Sequence, residues 1–223
     1  MTELIWDGKY KDGKKIGPVR IELPFQAVET INETAQERQL TLDRLFSGQE
    51  TDWRNRLIWG DKKYVLPSLL PEFAGQVNLI YIDPPFATGA DFSFTATIPE
   101  IDESFTREPS IIEQKAYRDT WGKGIDSYLQ WFYETMVLLR ELLAEDGSIY
   151  VHCDWHIGHY AKGVLDEVFG STNFRNEISW KRSSIATNVA AQWRNSHDVI
   201  LFYSKSPDNL FHVQYGEYTE SSN

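Results

Sequence analysis

Three observations predict an α/β fold. Residues 77–83, 148–153 and 199–203 are short apolar runs of strand length, rich in Val, Ile, Leu and Tyr. Between the first two, residues 126–143 repeat apolar side chains at helical spacing, and residues 156–169 do so before the third. Strand, helix, strand, helix, strand in that order is the pattern of a parallel sheet with crossover helices.

Residues 3–25 read as a small β unit: Glu3–Trp6, a Lys-Asp-Gly turn at 11–13, and Val19–Leu23 before Pro24. Residues 26–55 are polar, of mixed charge and partly helical in pattern, which suits a surface appendage. Residues 1–56 therefore form an N-terminal extension to a core at 57–206. The core opens with a short strand, Leu57–Trp59, running into Gly60-Asp61. A helix follows around Lys62–Leu70 and is expected to break near Pro67, because proline lacks the N–H that an inner helical turn needs.

The 77–83 strand must leave the sheet at Asp83, since neither Pro84 nor Pro85 can donate to a ladder. Residues 87–124 are loop-like, and a connection of that length in a compact domain usually has a function. The helix at Asp126–Leu143 is carried by Leu129, Phe132, Met136, Leu139 and Leu143, with Asp146-Gly147 as its stop. Ser148–Cys153 is a strand, and His156–Phe169 a helix closed by Gly170. Glu177–Trp180 and Val199–Tyr203 are further strands on either side of a polar loop, Ser183–Ser196. From Pro207 to Asn223 the chain is a tail or the start of a further region.

The 223 residues carry a net charge of −11, which argues against a surface that grips nucleic acid everywhere and leaves room for a local basic strip. The single cysteine, Cys153, excludes an internal disulfide and fits a reducing compartment. The N-terminus has no basic segment followed by an apolar one, and no apolar run approaches the roughly 20 residues of a membrane span. A cytoplasmic protein without membrane contact is expected.

Asp83-Pro84-Pro85-Phe86 is the most informative tetrapeptide. It sets a carboxylate, main-chain carbonyls without competing donors and an aromatic ring at the carboxyl edge of a strand, where open α/β sheets bind ligands. That set suits an exocyclic amine on a planar ring. An adenine N6 lone pair is delocalised into the ring, and two acceptors on its N–H groups draw it back as the nitrogen pyramidalises. Asp83 offers a carboxylate oxygen and Pro84 a carbonyl, so that both stabilise charge developing on the amine. Pro85 rigidifies the turn, and Phe86 would stack on a base flipped from the duplex. Taken alone, the tetrapeptide reads equally well as a plain strand end with a turn residue, two breakers and a core aromatic.

Other candidates carry two readings each. Asp61 faces the cleft or caps a helix. Lys181, Arg182 and Arg194, with Lys205 and beside Trp180 and Trp193, form a locally basic stretch that contacts phosphates or is simply solvated. His152, Cys153, His156 and His159 include zinc-ligand types, yet His152 and Cys153 are strand neighbours on opposite faces, which spoils a tetrahedral cage. No metal is expected. His152 or Asp154 is instead a candidate to line the site.

Several ordered runs together carry a resemblance. Leu57-Ile-Trp-Gly-Asp-Lys-Lys-Tyr-Val-Leu and Leu79-Ile-Tyr-Ile-Asp-Pro-Pro-Phe-Ala-Thr-Gly are similar to the amino-methyltransferases of restriction–modification systems, especially the adenine-specific type III modification subunits. Asp146-Gly-Ser-Ile-Tyr-Val-His-Cys-Asp-Trp-His, Asn173-Phe-Arg-Asn-Glu-Ile-Ser-Trp-Lys-Arg and Ser196-His-Asp-Val-Ile-Leu-Phe-Tyr-Ser-Lys-Ser resemble that group's later core strands. The resemblance implies a Rossmann-like methyltransferase fold and S-adenosylmethionine as methyl donor. It implies Asp83, Pro84, Pro85 and Phe86 as the catalytic loop. Asp61 and Asp83 are the candidates to face the cofactor. Aspartate rather than serine in first place points to adenine over cytosine N4.

Family members of this order carry a recognition region and a Phe-x-Gly-x-Gly cofactor loop after these strands, and this sequence reaches Asn223 without them. The chain is therefore expected to be the catalytic half only, with a small N-terminal β extension, and inactive by itself. The partners expected are double-stranded DNA, a second polypeptide carrying the recognition and cofactor regions, and a restriction subunit. Two alternatives stay open. One is a non-catalytic remnant or split-enzyme module. The other is an enzyme acting on cytosine N4, RNA or a protein amide.

Overall fold

The structure is a computed structural model that describes residues 3–27, 55–85, 94–97, 104–107, 124–182, 193 and 195–213. Its elements in chain order are β1 (Tyr10–Lys11), β2 (Lys14–Lys15), α1 (Lys62–Phe73), β3 (Val77–Ile82), β4 (Phe94–Thr97), β5 (Ser104–Arg107), α2 (Ile125–Leu142), β6 (Leu143–Cys153), α3 (Gly158–Phe169), β7 (Phe174–Lys181) and β8 (His197–Ser204). The central sheet has the order β3-β6-β8-β7.

The sheet is mixed, which corrects the all-parallel expectation. β3 and β6 are parallel, with Ile80 beside Ile149 and Ile82 beside Val151. β8 runs antiparallel to both β6 and β7, between which it is inserted. A parallel β8 would need a crossover element packed on the sheet. Instead the Arg182 N–H donates to the Ser196 carbonyl at 2.9 Å, which brings the two ends of the 183–196 connection together, so the chain turns back beside β7.

Side-chain alternation divides the sheet into two faces. Ile80, Ile149, Val151, Cys153, Leu201 and Tyr203 are buried on one, against Phe132, Met136 and Leu139 of α2 and Ala161, Val164 and Leu165 of α3. The other face carries Tyr81, Tyr150, His152, Asp198 and Phe202. It is partly covered at its lower end, where Phe202 stacks between Tyr150 at 4.5 Å and Phe211 at 6.2 Å.

α1 does not break at Pro67. The helix runs to Phe73 through both Pro67 and Pro71, with Pro67 buried. Each proline removes a backbone hydrogen bond and costs about 3 kcal/mol in a helix interior. Packing of Leu66, Leu69, Leu70 and Phe73 against the core offsets this, and the Ser68 hydroxyl supplies the Tyr64 carbonyl with an extra donor at 2.7 Å.

The N-terminal β unit is smaller than expected. Only β1 and β2 pair, across a turn in which Asp12 (φ 51°) and Gly13 (φ 74°) are both left-handed, as a two-residue hairpin turn requires. Glu3–Trp6 and Val19–Leu23 form no strand, because side chains rather than a ladder hold this segment. The fully buried Lys9 reaches the Leu4 carbonyl and Glu167, each at 2.6 Å, and lies 4.4 Å from the Trp6 ring centre. Trp6 donates to Gln130, and Arg20 pairs with Glu141. Leu57–Trp59 is likewise no strand; Leu57 and Trp59 are almost wholly exposed, with Arg56 paired to Glu72 alongside. The stretch expected to be loop between 87 and 124 contains the paired strands β4 and β5. Among the described residues no helix is long and apolar enough to cross a membrane.

Candidate active site

β3 ends at Ile82, and Asp83-Pro84-Pro85 leaves the sheet there as the two prolines demand. Pro84 is buried, Pro85 half-buried and Asp83 exposed, so the turn is anchored by its prolines while the carboxylate faces outward. Phe86 lies outside the described residues. Continuing the β3–β6 register one step beyond Ile82 and Val151 sets Asp83 level with His152.

Asp61 caps α1, its carboxylate accepting from the Lys63 N–H at 2.9 Å. α1 connects to β3 through the short turn at 74–76, so its N-terminus lies toward the carboxyl end of β3, the end that carries Asp83. The helix rises about 18 Å and the strand about 20 Å, which brings both ends near one level. The two carboxylates named in the sequence thus share one edge of the sheet.

Beside Asp61, Lys62 turns inward. Its ammonium donates to the Trp131 carbonyl at 2.9 Å and to the Thr135 hydroxyl, and sits 4.5 Å from the Trp131 ring centre. Burial pulls its pKa down to about 8. Sequence reasoning missed this residue.

His152 lies level with Asp83 in the sheet, and its surroundings are new. The Tyr81 hydroxyl lies 2.9 Å from His152 Nδ1, and His152 Nε2 lies 3.3 Å from Asp198 Oδ2. The other oxygen of Asp198 accepts from Arg182 at 3.4 Å. Tyr81 has its pKa raised by partial burial and by the nearby charge of Asp83. Tyr81 and Asp198 were not singled out from sequence; the available signal was Tyr81 two residues before Asp83, on the same side of the strand.

Asp154 is a different case. It is buried, one carboxylate oxygen accepts from the His156 N–H at 2.9 Å, and the other pairs with the His156 ring. Its carbonyl accepts from Gly158 N–H at 2.9 Å. It therefore builds the turn into α3, and it also lines an open concavity with Trp155, His159, Lys162 and Glu177. Cys153 is buried on the packed face, opposite His152, and burial raises its pKa. Among the described residues no group of three or more His, Cys, Asp or Glu could hold a metal ion.

Lys181 and Arg182 lie at the exposed end of β7 beside exposed Trp180, and Trp193 is 95% exposed. Arg194 falls outside the described residues. Lys205 does not belong to this strip: its ammonium donates to the Leu143 carbonyl at 2.7 Å and pairs with Glu145 at 2.8 Å, which ties β8 to the base of β6.

The exposed Asp83 carboxylate and its two prolines stand at the carboxyl edge, where open α/β sheets bind their ligands. The N6/N4 DNA methylase family model matches residues 77–223, and the chain belongs to that family; its fold is Rossmann-like. The type II methyltransferase M.EcaI of Enterobacter cloacae is 35% identical over 155 residues, 68% of this chain and 29% of that protein. The EcoP15I Mod subunit, a type III restriction-modification enzyme of Escherichia coli, is 30% identical over 185 residues, 77% of this chain and 28% of that subunit. The chain thus spans under a third of the length of these relatives. Among solved structures, the M1.HpyAVI–SAM complex aligns with a TM-score of 0.43 and 13% identity over 73% of this chain and 60% of that one. The cytosine-N4-specific PvuII DNA methyltransferase aligns with a TM-score of 0.40 and 18% identity, over 67% and 48%.

Proposed function

We propose that this chain is the catalytic segment of a DNA adenine-N6 methyltransferase of a restriction–modification system. The observation that carries the reading is the exposed Asp83 on a buried proline anchor at the carboxyl end of β3, within a chain of this family. Asp83 accepts one N–H of the target amine and the Pro84 carbonyl the other, so the lone pair is freed for attack as positive charge develops. Pro85 limits movement of the turn, and Phe86 supplies the stacking face for the flipped base. Adenine is favoured over cytosine N4 by the aspartate at position 83. Lys181 and Arg182, at the end of β7, take the DNA backbone, and Arg194 is a further candidate by sequence.

S-adenosylmethionine supplies the methyl group. Its cationic sulfonium and ammonium suit an edge that carries the carboxylates of Asp61 and Asp83. β3 is the edge strand among the described residues, with Leu79 and Tyr81 more than half exposed, and Leu57 and Trp59 lie open nearby in sequence to α1. An uncovered apolar edge of this kind favours a further segment or second polypeptide, carrying the cofactor loop and recognition region, that completes the sheet.

The test is nucleoside mass spectrometry on DNA incubated with the cofactor and the chain, with and without the polypeptide that carries those regions. N6-methyladenine in the complete mixture, absent from the chain alone, is the expected result. N4-methylcytosine would move the acceptor to cytosine. Robust methylation by the 223-residue chain alone would remove the need for a second part.

A further inference from the structure

One polar residue from each strand of the central sheet, or from its immediate end, joins a row across the open face: Tyr81 from β3, His152 from β6, Asp198 from β8 and Arg182 just past β7. The links are 2.9, 3.3 and 3.4 Å. The row starts two residues before Asp83 and ends in the basic strip, so it spans the distance between the two halves of the candidate site. Asp198 is 6% exposed whereas Tyr81 is 56% exposed. A buried carboxylate behind an exposed tyrosine contributes nothing to the core, which lies on the opposite face. The tautomer of His152 sets the sense of the row. In the neutral ring, an Asp198 carboxylate that only accepts takes the proton of His152 Nε2, which leaves Nδ1 to accept from the Tyr81 hydroxyl.

We propose that Tyr81, His152 and Asp198 are positioning residues for methyl transfer, which hold the strand end bearing Asp83 in register with Arg182. The inference rests on the methyltransferase reading above. Asp83 must meet the amine to within a fraction of an ångström for its charge to count, and supporting hydrogen bonds set such placement. Asp198 is shared by His152 and Arg182. A phosphate bound by Arg182 therefore fixes the outer end of the row whose inner end is the catalytic turn.

Two measurements test this. In the 223-residue chain, 15N NMR should find His152 as the Nε2–H tautomer with an accepted bond at Nδ1, and Tyr81→Phe should abolish that bond's signature. An Nδ1–H tautomer, or no response to Tyr81→Phe, would overturn the row itself. In the reconstituted enzyme, Tyr81→Phe and His152→Asn should each slow single-turnover methylation about tenfold, the effect of one hydrogen bond, at unchanged Kd for DNA. The double variant should be no slower than the slower single variant, because both break the same link. Unchanged rates, or losses that multiply, would sink the positioning role. A wild-type enzyme that forms the row by NMR yet transfers no methyl to DNA would overturn the functional reading, and this inference with it.

Discussion

The two faces of the central sheet are made by the same strands and differ in what they hold. On the packed face Ile149, Val151, Cys153, Leu201 and Tyr203 are at most 1% exposed beneath α2 and α3. One residue along in each strand, Tyr150, His152, Phe202 and Asp198 form a face of rings and hydrogen-bonding groups, partly open toward Asp83. A strand's period of two lets one segment serve stability and chemistry without mixing them. His152-Cys153 is the clearest instance: adjacent residues, one in the polar row and one in the core.

The strongest way to break this division is at its active end. Asp83→Ala should lower the methylation rate of the reconstituted enzyme by about 10²- to 10³-fold, the scale of one lost stabilising group in a preorganised site. The side chain is exposed, so the urea midpoint of the chain should stay put. A matching loss of stability would show that the turn is structural. Phe132→Ala is the converse. This side chain is fully buried under the packed face, and its loss should cost about 3–5 kcal/mol in urea unfolding. Methylation per folded molecule should be little altered.

The packed face was legible in the sequence and much of the open face was not, for a physical reason. Burial leaves a periodic apolar pattern, so α2 starts and stops within a residue of its predicted range, and the prolines after Asp83 end β3 as they must. Polar rows leave no period. Tyr81 and His152 are 71 positions apart, and His152 and Asp198 another 46, so only the strand order brings them together. The direction of β8 was misjudged because it is set by long-range pairing with β7 and β6, which the strand's own length and apolar content do not encode. Local propensity misled at Leu57–Trp59, where an apolar tripeptide finds no strand partner among the described residues. It misled again at Pro67, where packing outweighs the breaker. Lys205 looked like part of a basic strip until its carbonyl and carboxylate partners were in view.

Lys62 stands where the two regions meet, at the carboxyl edge but pointing into the packed side, and its titration reads out that position. Its folded pKa of about 8 lies below the ordinary 10.5. Between those values the unfolded chain holds a proton on Lys62 that the folded chain has released, so stability rises with pH across this window. Below pH 8 both states are protonated and the burial cost is fully present; above 10.5 it is gone. Lys62→Met removes the titrating group, and the wild-type-minus-variant difference in urea stability should climb in favour of wild type from pH 8 to 10.5, by at most about 3 kcal/mol. A flat difference would place this ammonium in contact with water.

Asp61 gives the smallest effect and the finest distinction. One of its oxygens caps α1 through the Lys63 N–H, and the helix end that carries it lies toward the carboxyl end of β3. Asp61→Ala should cost about 1 kcal/mol of stability through the lost cap. Asp61→Ser keeps a capping oxygen and removes the charge, so stability should stay near wild type. If the carboxylate also meets the cationic methyl donor, both variants should weaken S-adenosylmethionine binding by the complete enzyme to a similar degree, measured by calorimetry. Equal affinity in Asp61→Ser and wild type would leave Asp61 as a helix cap alone and confine the chemistry of this edge to the Asp83 turn.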